Sequence, residues 1–217
     1  TMYQAVFFDL DGTLADSAPG IFGSMRYALA QFGITPSDEE LHPFLGPPLQ
    51  QMFAHFLPAE QVARGVELYR AHYGAGGLFD ARIYDGVPQM LARLRGAGAA
   101  VCLATAKPRT TARRVLDHFE LTQWFDLVGG TTEESGVATK TEVIRKNIRD
   151  GGFDPQRCLM VGDRRDDLDG AAAAGIDGLG VLYGYGSREE LLAHPHRALA
   201  QTPAAVADFA LGAAAAR

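Results

Sequence analysis

Two aspartates separated by a single residue carry the clearest chemical signal in this chain. The apolar run Ala5-Val6-Phe7-Phe8 reads as a buried strand that delivers Asp9-Leu10-Asp11-Gly12-Thr13 to its tip. Alternation along an extended backbone sends the Asp9 and Asp11 side chains to one face and turns Leu10 away, while Gly12 is free to make a sharp turn. Carboxylates gathered in this way want a cation. A hard ion such as Mg2+ takes oxygen ligands and keeps positions for water and phosphate oxygens. A calcium loop of the EF-hand kind fails on spacing, because its glycine and glutamate positions, counted from Asp9, hold Leu14 and Gly20.

Three more reactive groups stand at comparable places. Thr105 ends the apolar run Val101-Cys102-Leu103-Ala104, and Lys140 opens a helical pattern. Gly162-Asp163-Arg164-Arg165-Asp166-Asp167 follows Leu159-Met160-Val161.

The elements that must position these groups follow from the apolar pattern. Runs at residues 5–8, 99–104, 125–128, 158–161 and 179–182 read as strands, mostly without polar alternation, as expected of strands covered on both faces. Val87, Met90, Leu91 and Leu94 recur at helical spacing and are closed by Gly96 and Gly98, and further helices begin near Arg109, Lys140 and Asp167. Strand-helix alternation predicts an α/β fold, a doubly wound parallel sheet with right-handed crossovers and ligands beyond the carboxyl ends of its strands.

The stretch from Ala18 to Ile83 breaks that alternation, with several helical segments and no convincing strand. Ser37 with Glu40 makes a capping box, Gly33 a helix stop, and Pro58 the start of a helix running through Tyr73. Asp16 is expected as an N-cap. The prediction is an inserted all-helical domain over residues 18–83, with residues 1–17 and 84–217 forming the α/β core. The Ala-rich tail after Gly212 reads as a fraying helix end.

Asp9-Leu10-Asp11-Gly12-Thr13-Leu14, with Asp16-Ser17 after it, resembles the first motif of the haloacid dehalogenase superfamily, most of whose members are Mg2+-dependent phosphohydrolases. The family's other three motifs find their counterparts in order at Thr105, Lys140 and Gly162 to Asp167. The likeness spans nearly the whole chain. It is strongest to the phosphoglycolate-phosphatase-like branch, in Thr105-Ala106-Lys107-Pro108 and in Gly178 through Ser187. The resemblance implies a Rossmann-like core whose inserted helices form a cap.

What the resemblance implies for the residues agrees with what phosphoryl transfer demands. Asp9 is the nucleophile, forming an aspartyl-phosphate that divides one hard displacement into two easier ones. Mg2+ shared by Asp9, Asp163 and the Asp11 backbone carbonyl would cancel the repulsion between carboxylate and phosphate. The Asp11 side chain is the general acid and base. Thr105 and Lys140 hold phosphoryl oxygens, and Asp167 orients Lys140 or a bound water. Lys107 is the candidate for a substrate carboxylate or second anionic group. Gly46 and Leu49, in Phe44-Leu45-Gly46-Pro47-Pro48-Leu49, are similar to the relatives' cap loop. Asp166 stands where close relatives commonly carry His, so no role is carried over to it.

Composition narrows the partners. A chain of 217 residues with 47% hydrophobic content can bury a sizeable core, and a net charge of -6 disfavours nucleic-acid binding. Two cysteines, the lack of any membrane-spanning apolar stretch, and an N-terminus without the order of a signal peptide make the cytoplasm the expected location. Cys102 and Cys158 fall in core strands, and in the family's strand order the first strand separates them, so no disulfide is expected. The expected partner is a small anionic phosphorylated metabolite, with the chain acting as a monomer or homodimer.

Three other functions share parts of this pattern. A phospho-acceptor signalling receiver shares an acidic cluster, a Thr and a Lys on a doubly wound sheet, but needs neither Asp11 nor inserted helices. A P-loop hydrolase would need glycine where Thr139 precedes Lys140-Thr141. A phosphosugar mutase would use the same nucleophile and acid, and it stays open.

Overall fold

The computed structural model describes residues 2–132 and 136–213, so all of the Ala-rich tail except Ala213 lies outside the described residues. Its strands are β1 (Ala5–Phe8), β2 (Ala15–Asp16), β3 (Arg82–Ile83), β4 (Ala100–Pro108), β5 (Leu127–Thr131), β6 (Cys158–Gly162), β7 (Asp177–Val181) and β8 (Ala198–Ala200). The chain divides into two compact units, one of Thr1–Ala15 with Ile83–Arg217, the other Asp16–Arg82.

The first unit is built on a six-stranded parallel sheet of order β5-β4-β1-β6-β7-β8. Its helices are α5 (Val87–Gly96), α6 (Arg109–His118), α7 (Lys140–Gly151), α8 (Arg165–Ala174), α9 (Arg188–Leu192) and α10 (Pro203–Ala210), the labels α1 to α4 belonging to the other unit. Ala5 and Phe7 face α7 and α8, where they join Cys102, Ala104, Cys158, Met160, Val143, Ile144 and Ala171 in one buried cluster. Val6 and Phe8 are equally buried on the opposite side of the strand. Coverage of both faces explains why β1 shows no polar alternation, and each buried Phe or Val contributes about 1.5–3 kcal/mol of transfer free energy.

Continuing the register that pairs Phe8 with Leu103 and with Val161 brings Asp9 beside Ala104 in β4 and Gly162 at the end of β6. Cys102 and Cys158 are buried free thiols on strands that flank β1.

Several elements differ from the expectation. Edge strand β8 adds to the strands the apolar runs predict, and within the 18–83 stretch Arg82–Ile83 is a strand that pairs with Ala15–Asp16 as a short ribbon. Runs of two or three residues carry too little periodicity to be recognised. Asp16 is not an N-cap: it lies in β2, 3.8 Å from Arg82, and Ser17 occupies the cap position.

The second unit contains α1 (Ala18–Ala30), α2 (Asp38–Leu41), α3 (Leu49–Phe56) and α4 (Ala59–Ala75). Ser37 and Glu40 close α2 with the expected capping box, and Pro58 is the N-cap of α4. Helix α1 stops at Ala30 with Gln31 as its C-cap, so Gly33, at φ +74°, serves the turn beyond it. Helix α4 packs against α1 and α3. The buried Ser24 hydroxyl meets His72 Nδ1 at 2.9 Å. Among the described residues no helix is long and apolar enough to cross a membrane.

Candidate active site

Four segments of the first unit converge at the carboxyl ends of β1, β4 and β6. Asp9 follows β1 directly, and its backbone N-H donates to Val161 O at 3.0 Å, which holds it against β6. Asp163 follows β6. Thr105 and Lys107 lie in the last part of β4, where its pairing with β5 shifts register between Ala104 and Pro108, and the Lys107 N-H donates to Thr105 Oγ1 at 3.1 Å. Lys140 is the first residue of α7, whose start is fixed by a capping box between Thr139 and Glu142.

Lys140 ties the motifs together. Its Nζ lies 2.7 Å from Asp9 Oδ1, 2.9 Å from Asp167 Oδ1 and 3.0 Å from Ala104 O. All three charged groups are buried, and such an arrangement is stable only when each charge has partners. Asp167 sits in the first turn of α8, where its other oxygen accepts from the Arg164 N-H at 3.1 Å. A Cβ at Gly162 would overlap the Asp167 carboxyl, so glycine is what lets α8 start this close to β6.

Asp163 is fully buried and held by neutral donors, with Thr13 Oγ1 3.2 Å from Oδ1 and the Tyr185 N-H 2.8 Å from Oδ2. Oxygens of Asp9, Asp163 and Asp167 lie within 4.8 Å of one another. Three carboxylates therefore face one ammonium. Burial, and then the charge of Asp167, push Asp9 up to about 7 against the pull of Lys140. Burial, Asp167 and Asp9 likewise raise Asp163 well above the ordinary carboxylate range. Burial works against the charge of Lys140, but Asp167 and Asp9 outweigh it and raise its pKa. This uncompensated negative charge, offered by hard oxygen donors, fits a divalent cation such as Mg2+.

The structure thus brings Asp9, Thr105, Lys107, Lys140, Asp163 and Asp167 to the same end of the sheet. The Asp11 carboxylate joins them through Lys107, whose Nζ lies 3.1 Å from Asp11 Oδ2. Asp166 is exposed, with Arg165 at 3.8 Å. Gly46 and Leu49 belong to the helical unit, Gly46 in a left-handed turn at φ +106° and Leu49 opening α3.

Sequence reasoning missed the donors that hold Asp163. Thr13 and the Tyr185 amide are uncharged, so a search for titratable groups passes over them. The signal available was the glycine spacing in Gly184-Tyr185-Gly186, where a Cβ at either glycine would overlap the Asp163 residue.

Comparison with known proteins decides the family. The haloacid dehalogenase-like hydrolase profile matches residues 6–181. A 5'-nucleotidase of Pseudomonas aeruginosa is 38% identical over 195 residues, covering 88% of both chains. The chain belongs to the haloacid dehalogenase-like hydrolase family.

Other relatives of this haloacid dehalogenase-like hydrolase carry different names. A phosphoglycolate phosphatase of Mesorhizobium japonicum is 31% identical over 191 residues, covering 84% of each chain. The tyrosine-protein kinase PtkA of Mycobacterium tuberculosis is 40% identical over 184 residues, which span 84% of this chain and 63% of that protein. A solved haloacid dehalogenase-like hydrolase of Streptococcus pneumoniae superposes with a TM-score of 0.92 at 30% identity, covering 95% of this chain and 98% of that one. These similarities put the chain among the phosphoric monoester hydrolases of the family.

Proposed function

We propose that this chain hydrolyses a small phosphomonoester with Mg2+ through an aspartyl-phosphate on Asp9, as its phosphoglycolate-phosphatase-like sequence suggests. The observation that carries the reading is the convergence of Asp9, Thr105, Lys140 and Asp163 at one end of the sheet, with the Asp11 carboxylate beside them. Asp9, Asp163 and the Asp11 backbone carbonyl would hold Mg2+, whose chemistry is to neutralise charge between an acidic nucleophile and an anionic ester.

Lys140 occupies Asp9 Oδ1, which leaves Oδ2 to attack phosphorus. As the Asp9-phosphorus bond forms, the bond to the ester oxygen breaks, and Asp11 donates a proton to the departing alkoxide. Asp11 then takes a proton from the water that cleaves the acyl-phosphate, releasing inorganic phosphate and restoring Asp9. Thr105 and Lys140 bind phosphoryl oxygens throughout. Lys107 receives a second anionic group on the substrate. The helical unit serves as the cap, with Gly46 and Leu49 as its candidate substrate contacts.

A second reading, phosphoryl transfer to an acceptor other than water, is favoured by the similarity to PtkA and includes the phosphosugar mutase alternative. One panel separates the two. Phosphate release from phosphoglycolate, sugar phosphates and nucleoside 5'-monophosphates is measured with Mg2+ and with chelator. Hydrolysis predicts release that requires Mg2+ and Asp9; release that survives chelation overturns it, and isomerised phosphosugar without release supports transfer.

A further inference from the structure

The loop after β7 and the loop that carries Asp9 meet at Tyr183, to which no catalytic motif assigns a part. Its phenol donates to Thr13 O at 3.1 Å, and the Thr13 hydroxyl donates to Asp163 Oδ1 at 3.2 Å. One residue along from Tyr183, a backbone bound closely to Asp163 begins, with the Tyr185 N-H on Asp163 Oδ2 at 2.8 Å. The two oxygens of Asp163 are therefore oriented by two loops, and the Tyr183 phenol bonds one loop to the other.

Tyr183 also reaches the crossover ribbon. Its ring packs edge-on against Tyr84, with centroids 5.1 Å apart at 63°. Tyr84 directly follows β3, and its N-H donates to Leu14 O at 3.1 Å, just before β2. Leu14 is in turn the neighbour of Thr13. The chain leaves the first unit through β2 and returns through β3. A single side chain thus contacts both the residue that orients Asp163 and the residue that closes the ribbon.

We propose that Tyr183 is a positioning residue for the bound cation, fixing Asp163 through Thr13 and transmitting cation occupancy through Tyr84 to the β2–β3 ribbon. The inference rests on the reading that Asp163 holds Mg2+. Groups that orient metal ligands by hydrogen bonds commonly change metal affinity by about 10–100-fold when removed. Acting one bond further out, Tyr183 belongs at the low end of that range. A residue that merely fills space would leave both metal affinity and ribbon protection unchanged in a variant that keeps its ring.

The experiment compares the wild type with Tyr183→Phe and Tyr84→Leu. Mg2+ affinity is read by calorimetry, and hydrogen exchange is followed at the residue-84 amide, which donates to Leu14 O and closes the ribbon. In the wild type Mg2+ should slow exchange at this amide. Tyr183→Phe should weaken Mg2+ binding about tenfold and abolish the slowing. Tyr84→Leu retains the phenol, so it should bind Mg2+ within about twofold of the wild type while losing the slowing. Wild-type affinity and wild-type slowing in Tyr183→Phe would overturn the inference alone. A wild type that does not bind Mg2+ brings down the functional reading and this inference together.

Discussion

The Lys107 ammonium lies 3.1 Å from Asp11 Oδ2 and 3.2 Å from Asp11 Oδ1, although 96 residues separate the two in sequence. The carboxylate assigned to the leaving group therefore starts with a cation in contact. A second negative group on the substrate, close to the ester oxygen, would meet the same ammonium. Lys107→Met should raise the KM for phosphoglycolate about tenfold and change that for p-nitrophenyl phosphate by less than about twofold. Steady-state kinetics on both substrates provide the check, and equal changes would mean that Lys107 acts on Asp11 rather than on the substrate.

Asp9→Asn keeps the shape of the side chain but removes the nucleophile's charge. Turnover on the best substrate of the panel should drop by at least about a thousandfold, as expected when a group acting only in the reacting state is removed. Single-turnover assays with purified variant would detect the residue of activity.

Lys140 answers two buried carboxylates at once, Asp9 at 2.7 Å and Asp167 at 2.9 Å. Lys140→Met strands both. Removing one partner of a buried ionic group costs about 3–5 kcal/mol, so urea denaturation should show a loss of that order together with loss of activity. Unchanged stability would mean that the carboxylates find other partners.

Gly12 adopts φ +83°, and a Cβ there would overlap the Asp163 carboxylate. Gly12→Ala meets both obstacles. The backbone strain alone costs about 1–3 kcal/mol, and displacement of Asp163 should weaken the stabilisation conferred by Mg2+. Thermal melts with and without Mg2+ measure the two effects separately.

Burial, reinforced by Asp154, pushes the Cys158 thiol up to about 12, and burial above all raises Cys102 as well. A raised pKa keeps a thiol neutral, and the thiolate is the reactive form. At pH 8 neither cysteine should react with iodoacetamide in the native protein. Both should react after unfolding, as intact mass would report.

Much of the core was legible because β1 and β6 are continuous apolar runs, each ending at an aspartate. Strand β5 spans Leu127–Thr131 rather than the expected 125–128, since Gly129 and Gly130 offer no apolar signal. There the missing side chains admit Asn147 and the backbone of Arg109. Strand β4 runs four residues past Ala104 to Pro108, which puts Thr105 and Lys107 on a strand rather than in a loop. The residue types at the centre could be read from charge and order. The Lys107–Asp11 pair and the Thr13 and Tyr185 donors could not, because pairings across loops depend on the packed structure and leave no periodic trace.

Strand β1 is bonded to β4 and β6, both of which come much later in the chain. Its two borders, Ala100–Pro108 and Cys158–Gly162, lie about a hundred and about a hundred and fifty residues downstream. During synthesis this greasy segment must wait for its first neighbour until about a hundred further residues have been made, and for its second until about a hundred and fifty. Contacts so remote in sequence slow folding and prolong the exposure of sticky surface. The same central placement that gathers the reactive groups makes the newborn chain dependent on shelter while its middle strand lacks neighbours.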